Sequence, residues 1–143
     1  VYDNTGRGMM KMRKRLMRAS LVLMALCIYL QWGRGVSVRN TISSSWDGKR
    51  TEYMTIVANK LYIGDKEAYA RKMIETCINN EFRDVRFSYD MGYPAEITMD
   101  IYTNETARRL GISCCEVRYA QAEEDRYRYN VKDDRERFVM TVK

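Results

Sequence analysis

The hydrophobic pattern separates one long apolar run from a series of short alternating segments. Residues 19–32 contain no charged side chain, and six basic residues precede them. A basic segment followed by an apolar one is the layout of an export signal or a membrane anchor. As a helix the run would be about 21 Å long, shorter than a hydrocarbon core of roughly 30 Å, which favours a cleaved signal peptide. The six basic residues are Arg7, Lys11, Arg13, Lys14, Arg15 and Arg18.

Three outcomes stay open for this run. A signal peptide would be cut before Val36 or before Val38, where small residues occupy the required positions. An uncleaved anchor would leave residues 1–18 in the cytoplasm and place Trp32 at the opposite membrane interface. The third outcome is a cytosolic protein in which the run is a buried N-terminal helix.

The same pattern predicts the domain organisation. We expect residues 1–8 to be a non-native upstream extension, because Met9 and Met10 offer natural starts. Residues 33–50 are rich in Gly, Ser and Asn and predict a flexible linker, with Trp46 docked on the domain. The predicted segments are a basic n-region (1–18), an apolar signal or anchor (19–32), a linker (33–50) and a small extracytoplasmic α+β domain (51–143).

Two helices are predicted at the start of this domain. Residues 51–62 place apolar side chains at helical spacing, and residues 66–80 do so more regularly. Asp65 is a suitable N-cap for the second helix. Residues 104–111 predict a further short helical turn. The apolar face of the second helix comprises Ala70, Met73, Ile74, Cys77 and Ile78.

The remaining segments alternate between apolar and polar residues, as strands do. Residues 85–89 and 96–102 flank a turn that contains Gly92 and Pro94, which predicts a β-hairpin. Further strands are predicted at 113–120, 127–131 and 138–142. The expected fold is α+β, with two helices packed on one face of a four- to five-stranded antiparallel meander and the other face exposed to water.

Charge and composition exclude several functions. Residues 1–50 hold 10 Lys and Arg against 2 Asp and Glu, whereas residues 51–143 hold 15 against 17. The basic character thus belongs to the targeting segment, and no nucleic-acid partner is expected because such binders carry a basic patch on the folded domain. The chain contains no histidine. Mechanisms that need an imidazole base or a histidine ligand are therefore excluded.

The cysteines suggest structure rather than chemistry. Cys77 and Cys115 both fall on predicted inward faces, so a disulfide between them is allowed outside the cytoplasm. The alternative is that both are free thiols packed as small hydrophobes. Cys114 points to the opposite face from Cys115, which makes the pair a poor chelate. No metal site and no cofactor are expected.

Carboxylates line the outward face of one predicted strand. Glu96 and Asp100 are about 13 Å apart by strand rise alone, too far for the paired carboxylates of a glycosidase. A neighbouring strand would have to supply the second group. The simpler interpretation is a solvated face with cross-strand ion pairs to Arg86 or Arg118.

Tyrosine and arginine alternate near the C-terminus. Both residue types are enriched at recognition surfaces, although they also suit an amphipathic edge strand. If the domain binds a partner, we expect its surface to include the exposed sheet face and the hairpin turn. The candidate residues are Tyr93, Arg118, Arg126, Tyr127, Arg128 and Tyr129.

The order of elements, a basic start, an apolar run, a linker and a helix-plus-meander domain, resembles small exported or membrane-anchored bacterial proteins. The domain is loosely similar in element order to cystatin-like and NTF2-like domains, some of which occur in secretion and conjugation machinery. The resemblance implies no site residues. We expect a non-enzymatic binding module with an unknown protein or cell-envelope partner, contacting the membrane through residues 19–32 if uncleaved. The alternative is a small carboxylate-based hydrolase that acts on envelope material.

Overall fold

The computed structural model describes residues 4–90, 92–122 and 129–143. It divides into two compact units, with the boundary between Arg34 and Gly35. The first unit is helical and the second is an α+β domain.

The first unit is a single long helix. α1 spans Asn4–Ile28 and continues as a π-helical turn over Tyr29–Gly33. The helix extends through the basic segment, because Met, Leu, Lys and Arg all favour helices. Its 26 residues from Gly8 to Gly33, about 39 Å of helix, are long and apolar enough to cross a membrane or to serve as a signal sequence.

The second unit is built on a five-stranded mixed sheet with the order β1-β2-β3-β4-β5. Three neighbouring pairs are antiparallel, but β2 and β3 run parallel. The predicted α+β class is confirmed, whereas the purely antiparallel meander is wrong. The strands are β1 (Ser37–Trp46), β2 (Lys49–Val57), β3 (Glu96–Tyr102), β4 (Cys115–Gln121) and β5 (Phe138–Val142).

The first two strands replace the predicted linker and the first predicted helix. β1 lies within residues 33–50, and β2 covers most of the segment expected to be helical. A two-residue turn joins them, with positive φ angles at Asp47 (50°) and Gly48 (71°), as a type I′ hairpin requires. Trp46 stands beside this turn with 84 % of its surface exposed, so it does not dock on the domain.

α2 (Lys66–Ile78) covers part of one sheet face, here called the core face. Asp65 caps the helix by accepting a hydrogen bond from the Ala68 amide at 2.9 Å. The whole predicted apolar face of α2 is buried. It packs with core-face side chains such as Ile56, Met99 and Val117. The opposite side of the sheet is the open face, which carries Tyr53, Thr98, Asp100, Glu116 and Arg118 as its central residues.

Residues 85–89 do not form a strand, which corrects the predicted hairpin. Their side chains do alternate between half-buried and exposed, as the sequence indicated. The backbone is held instead by the amide side chain of Asn80, which accepts from the Phe87 N–H (2.8 Å) and donates to the Phe87 carbonyl (3.0 Å). The Asn80 amide thus supplies the two hydrogen bonds that a neighbouring strand would provide.

The remaining predictions are mixed. A short helix, α3 (Glu105–Arg109), is capped by Asn104 as expected. A 3₁₀ turn precedes β5 at Arg135–Arg137. Residues 129–131 are not in a strand, and the rest of the strand predicted at 127–131 lies outside the described residues. The strands predicted at 113–120 and 138–142 are present as β4 and β5, which pair antiparallel.

Candidate binding groove

A groove lies where the β1–β2 hairpin meets the segment that leads into β3. It has a volume of about 440 Å³ and is open to solvent. Its walls combine hydroxyl groups, aromatic rings and one guanidinium. The lining residues are Ser43, Ser44, Ser45, Gly48, Arg50, Ser88, Tyr93, Ala95, Tyr129 and Asn130.

Arg50 forms the floor of the groove and holds a buried acid. Glu52 is fully buried on the core face and accepts hydrogen bonds from Arg50 Nε (2.8 Å) and Ser43 Oγ (2.5 Å). Arg50 Nη1 also donates to the carbonyls of Ser88 (3.3 Å) and Gly92 (3.4 Å). One guanidinium therefore links the buried Glu52 carboxylate to the segment that carries Tyr93.

Aromatic rings form the second wall. The ring of Tyr93 lies 4.5 Å from that of Tyr89, which in turn stacks on Phe87. Lys132 Nζ lies 2.5 Å from the Tyr93 hydroxyl and 4.6 Å from its ring centroid. Burial, followed by the neighbouring Cys77, raises the pKa of Tyr89, so this inner ring stays neutral. Tyr93 is the ring of the stack that faces the groove.

Tyr129 and Asn130 close the far end. Val131 N–H donates to the Pro94 carbonyl at 3.1 Å, which places this segment beside the one that carries Tyr93. Asn130 Oδ1 accepts from the backbone amides of Lys132 and Asp133, so its side chain fixes the local turn. The serine hydroxyls on the opposite wall, Ser44 and Ser45, have no partner among the residues that the structure describes.

The structure brings together only part of the predicted surface. Tyr93 and Tyr129 line the same groove. Arg118 does not line it. It lies on the open face, where its Nε donates to Glu96 at 2.6 Å. Arg126, Tyr127 and Arg128 lie outside the described residues.

The Arg118–Glu96 contact is one half of a larger ion-pair arrangement. Lys49 Nζ also donates to Glu96, at 2.7 Å. Partial burial acts to raise the pKa of Glu96, but the hydrogen bonds from Arg118 and Lys49 outweigh it and lower the pKa. These contacts link β2, β3 and β4 across the open face. The Arg118 side chain is therefore held by an ion pair within the sheet.

Cys77 and Cys115 are both buried and are free thiols in this structure. Burial, with a smaller effect of Glu52, raises the pKa of Cys77 to about 12, and burial raises the pKa of Cys115 to about 11. Such thiols remain protonated near neutral pH and pack as small apolar groups. Cys114 is half-buried rather than exposed.

Two carboxylates face each other on the open face. Asp100 on β3 is directly opposite Glu116 on β4. Directly opposed residues have Cβ atoms about 4.5–5.5 Å apart, and like charges at this spacing are destabilising. Partial burial and then the Glu116 carboxylate raise the pKa of Asp100. The second carboxylate, which the sequence analysis required from a neighbouring strand, is thus Glu116 on β4.

We expect Glu116→Gln to stabilise the domain at neutral pH by about 0.3 kcal/mol, a small value because both side chains are solvated. A raised pKa in the folded state makes ionised Asp100 a cost above its folded pKa, and that cost disappears as the pH falls below the unfolded value. The gain should therefore vanish at low pH. Urea unfolding as a function of pH measures it. Glu81→Gln, which removes an exposed acid, is the matched control, and an equal gain there would contradict the pairing.

The residues that the sequence interpretation missed are Arg50 and the three serines. They were assigned to the linker and its boundary, although Asp47-Gly48 between two strand-like segments is a strong hairpin signal. Recognising that turn would have paired Ser43 with Glu52 and Ser45 with Arg50.

No protein-family model matches the chain, and comparisons with curated proteins and with solved structures find no significant match. Among the described residues, no group of three or more Cys, Asp or Glu is placed to hold a metal ion.

Proposed function

We propose that this chain is a small binding module, held at a membrane or exported across it by its N-terminal helix, with the groove as its binding site. The observation that carries the proposal is the meeting of Tyr93 and Tyr129 in one groove with two serine hydroxyls that have no partner within the described part of the chain. Ring faces supply apolar contact area, and hydroxyls supply hydrogen bonds that fix orientation. This chemistry suits a neutral polar segment of a protein or of cell-envelope material.

The first unit supports the location. Residues 8–29 are all exposed, including the apolar side chains of Leu23 and Leu26. A helix whose apolar side chains are exposed along its whole length needs lipid or another protein to cover them. The basic residues of α1 suit the cytoplasmic side of a membrane. The cystatin-like or NTF2-like comparison and a bacterial origin stay predictions.

A second candidate function is the carboxylate-based hydrolase. One observation favours it: Asp100 and Glu116 have the close spacing that acid–base pairs use. However, both side chains are exposed, and the two shallow depressions on this face each contain only one of them. The groove has the more complete chemistry. The pH-dependent unfolding of Glu116→Gln also tests this candidate. If Asp100 and Glu116 do not interact, the proposed hydrolase has no acid–base pair.

Photo-crosslinking tests the binding proposal. In cells that express the full chain, p-benzoylphenylalanine replaces Ser88, an exposed residue that lines the groove. We expect a discrete adduct with one partner, identified by mass spectrometry. The same substitution at Thr141, which is exposed on β5 outside the groove, should give none.

Two results would contradict the proposal. One is the absence of any adduct from position 88 in the fraction that contains the chain. The other is an identical set of adducts from positions 88 and 141, which would indicate non-specific contact.

A further inference from the structure

Among the residues that the structure describes, β1 forms one edge of the sheet and pairs only on its β2 side. At the type I′ turn, Trp46 and Lys49 form the hydrogen-bonded pair that closes the hairpin. Because hydrogen-bonded pairs alternate along an antiparallel ladder, Ser45, Ser43 and Thr41 direct their N–H and C=O groups away from β2. These backbone groups form a free edge.

This edge lacks the usual protection against pairing. Residues 40–46 contain no charged residue and no proline. The only interruption is a register shift between Val38 and Asn40, where the Asp84 carboxylate accepts from the Val38 N–H at 3.2 Å. The opposite edge, β5, is half as long and ends beside Lys143. Natural edges are commonly blocked by charged side chains, proline or short length. The one charged residue of β1, Arg39, lies at the bulge and pairs with Glu105, so it leaves residues 40–46 unblocked.

Apolar side chains accompany the free edge on the open face. Ile42 is 55 % exposed, and its cross-strand neighbour Tyr53 is 46 % exposed. Trp46 lies on the same face and is almost fully exposed. A strand added beside β1 would cover Ile42 and Trp46 while satisfying the outward backbone groups.

We infer that the β1 edge pairs with β1 of a second copy of this chain, in an antiparallel arrangement with its two-fold axis at Ser43. This register aligns the outward-directed groups of all three residues, placing Thr41 opposite Ser45 of the second copy. It allows about six backbone hydrogen bonds. Because residues 40–46 carry no charge, two copies of this edge can pair without like-charge repulsion. The same residues offer no charge that would select a charged peptide from another protein. The interface adjoins the groove, because the serines at positions 43–45 of β1 also line the groove. Position 88 is not on β1, so photo-crosslinking from it and cysteine crosslinking from position 44 test the two proposals separately.

Cysteine crosslinking of the full chain tests this interface. Ser44→Cys is placed in a Cys27→Ser, Cys114→Ala background, which leaves only buried native thiols. In the proposed register the two introduced cysteines are diagonal neighbours about 7–8 Å apart, within reach of a short bismaleimide. We expect a covalent dimer of twice the chain mass. Thr141→Cys, on the other sheet edge, is the matched control and should stay monomeric.

A second substitution separates specific pairing from collision. Ile42→Lys places two like charges near the axis and should reduce the dimer by about tenfold. Val139→Lys, at an equally exposed residue of β5, should leave it unchanged. Ser45→Pro removes an outward N–H that β2 does not use, and it should act like Ile42→Lys.

Three outcomes would overturn the inference. They are equal dimer yields from positions 44 and 141, a dimer that is insensitive to both Ile42→Lys and Ser45→Pro, and an adduct with a different protein in place of the dimer. Circular dichroism of each variant verifies that the fold is retained.

Discussion

Arg50→Ala is expected to destabilise the α+β domain by roughly 3–5 kcal/mol, because it leaves the buried carboxylate of Glu52 without its counter-charge. Glu52 is fully buried, and of its donors in the described ranges only Ser43 would remain after the substitution. The change also removes the two bonds from Arg50 to the Ser88 and Gly92 carbonyls. Urea unfolding of the full chain in mild detergent, followed by near-UV circular dichroism, measures the loss.

Two companion variants identify the cause. Arg71→Ala breaks an exposed pair with Glu67, whose closest atoms are 3.5 Å apart, and should cost less than about 1 kcal/mol. Replacing Arg50 and Glu52 together with Leu and Met should recover most of the loss, because no charge is then left buried. If the double variant were as unstable as Arg50→Ala, shape rather than charge would explain the effect.

Arginine substitutions in the apolar part of α1 should have the largest effect on where the protein resides. Each arginine at the centre of a membrane-inserted helix costs roughly 3 kcal/mol, so Leu23→Arg combined with Leu26→Arg should abolish insertion. Both leucines are exposed, so neither change disturbs packing within the protein. Fractionation of expressing cells, with intact mass of each product, measures the result.

The unmodified chain defines the reference for this experiment. A full-length membrane species indicates a retained anchor, and a soluble exported species shortened to Val36 or Val38 indicates a cleaved signal. Leu23→Ile combined with Leu26→Ile is the matched control and should follow the unmodified chain. If the double-arginine variant fractionated like the unmodified chain, the proposed role of α1 would be wrong.

Elements whose polar and apolar faces are cleanly separated could be predicted from the sequence. α2 is the clearest example, because all five residues of its predicted face are buried. The inward faces of β3 and β4 were also correct, with Ile97, Met99 and Val117 fully buried. In each of these elements the solvent-facing positions are polar. The hydrophobic pattern therefore fits either the helical period of 3.6 residues or the strand period of two, but not both.

β2 was misread because one charged residue lies in the core. Glu52, Met54 and Ile56 share its core face, but a glutamate at the first position hides the two-residue period. Its burial depends on Arg50 and on Ser43 from the neighbouring strand, and the segment that forms β2 does not by itself contain Ser43. The parallel pairing of β2 with β3 was also missed, because it joins segments that are far apart in the sequence.

The groove was only partly predictable. Tyrosine enrichment pointed to Tyr93 and Tyr129, and both line it. Their convergence depends on a backbone contact between Pro94 and Val131 that no spacing rule encodes. Arg118 was expected on the exposed sheet face, and strand alternation along β4 does place it there, where it pairs with Glu96 instead of lining the groove.

The parallel pairing of β2 with β3 also has a consequence for the order of folding. The β1–β2 hairpin closes across two residues, and β3, α3 and β4 are close together along the chain. Joining these two halves requires ordering of everything between Val57 and Glu96, and such long-range closure carries a larger entropic cost. We expect two local nuclei to form early and the central pairing to be the late, rate-limiting step. The middle of the finished sheet would thus be the last part of it to assemble.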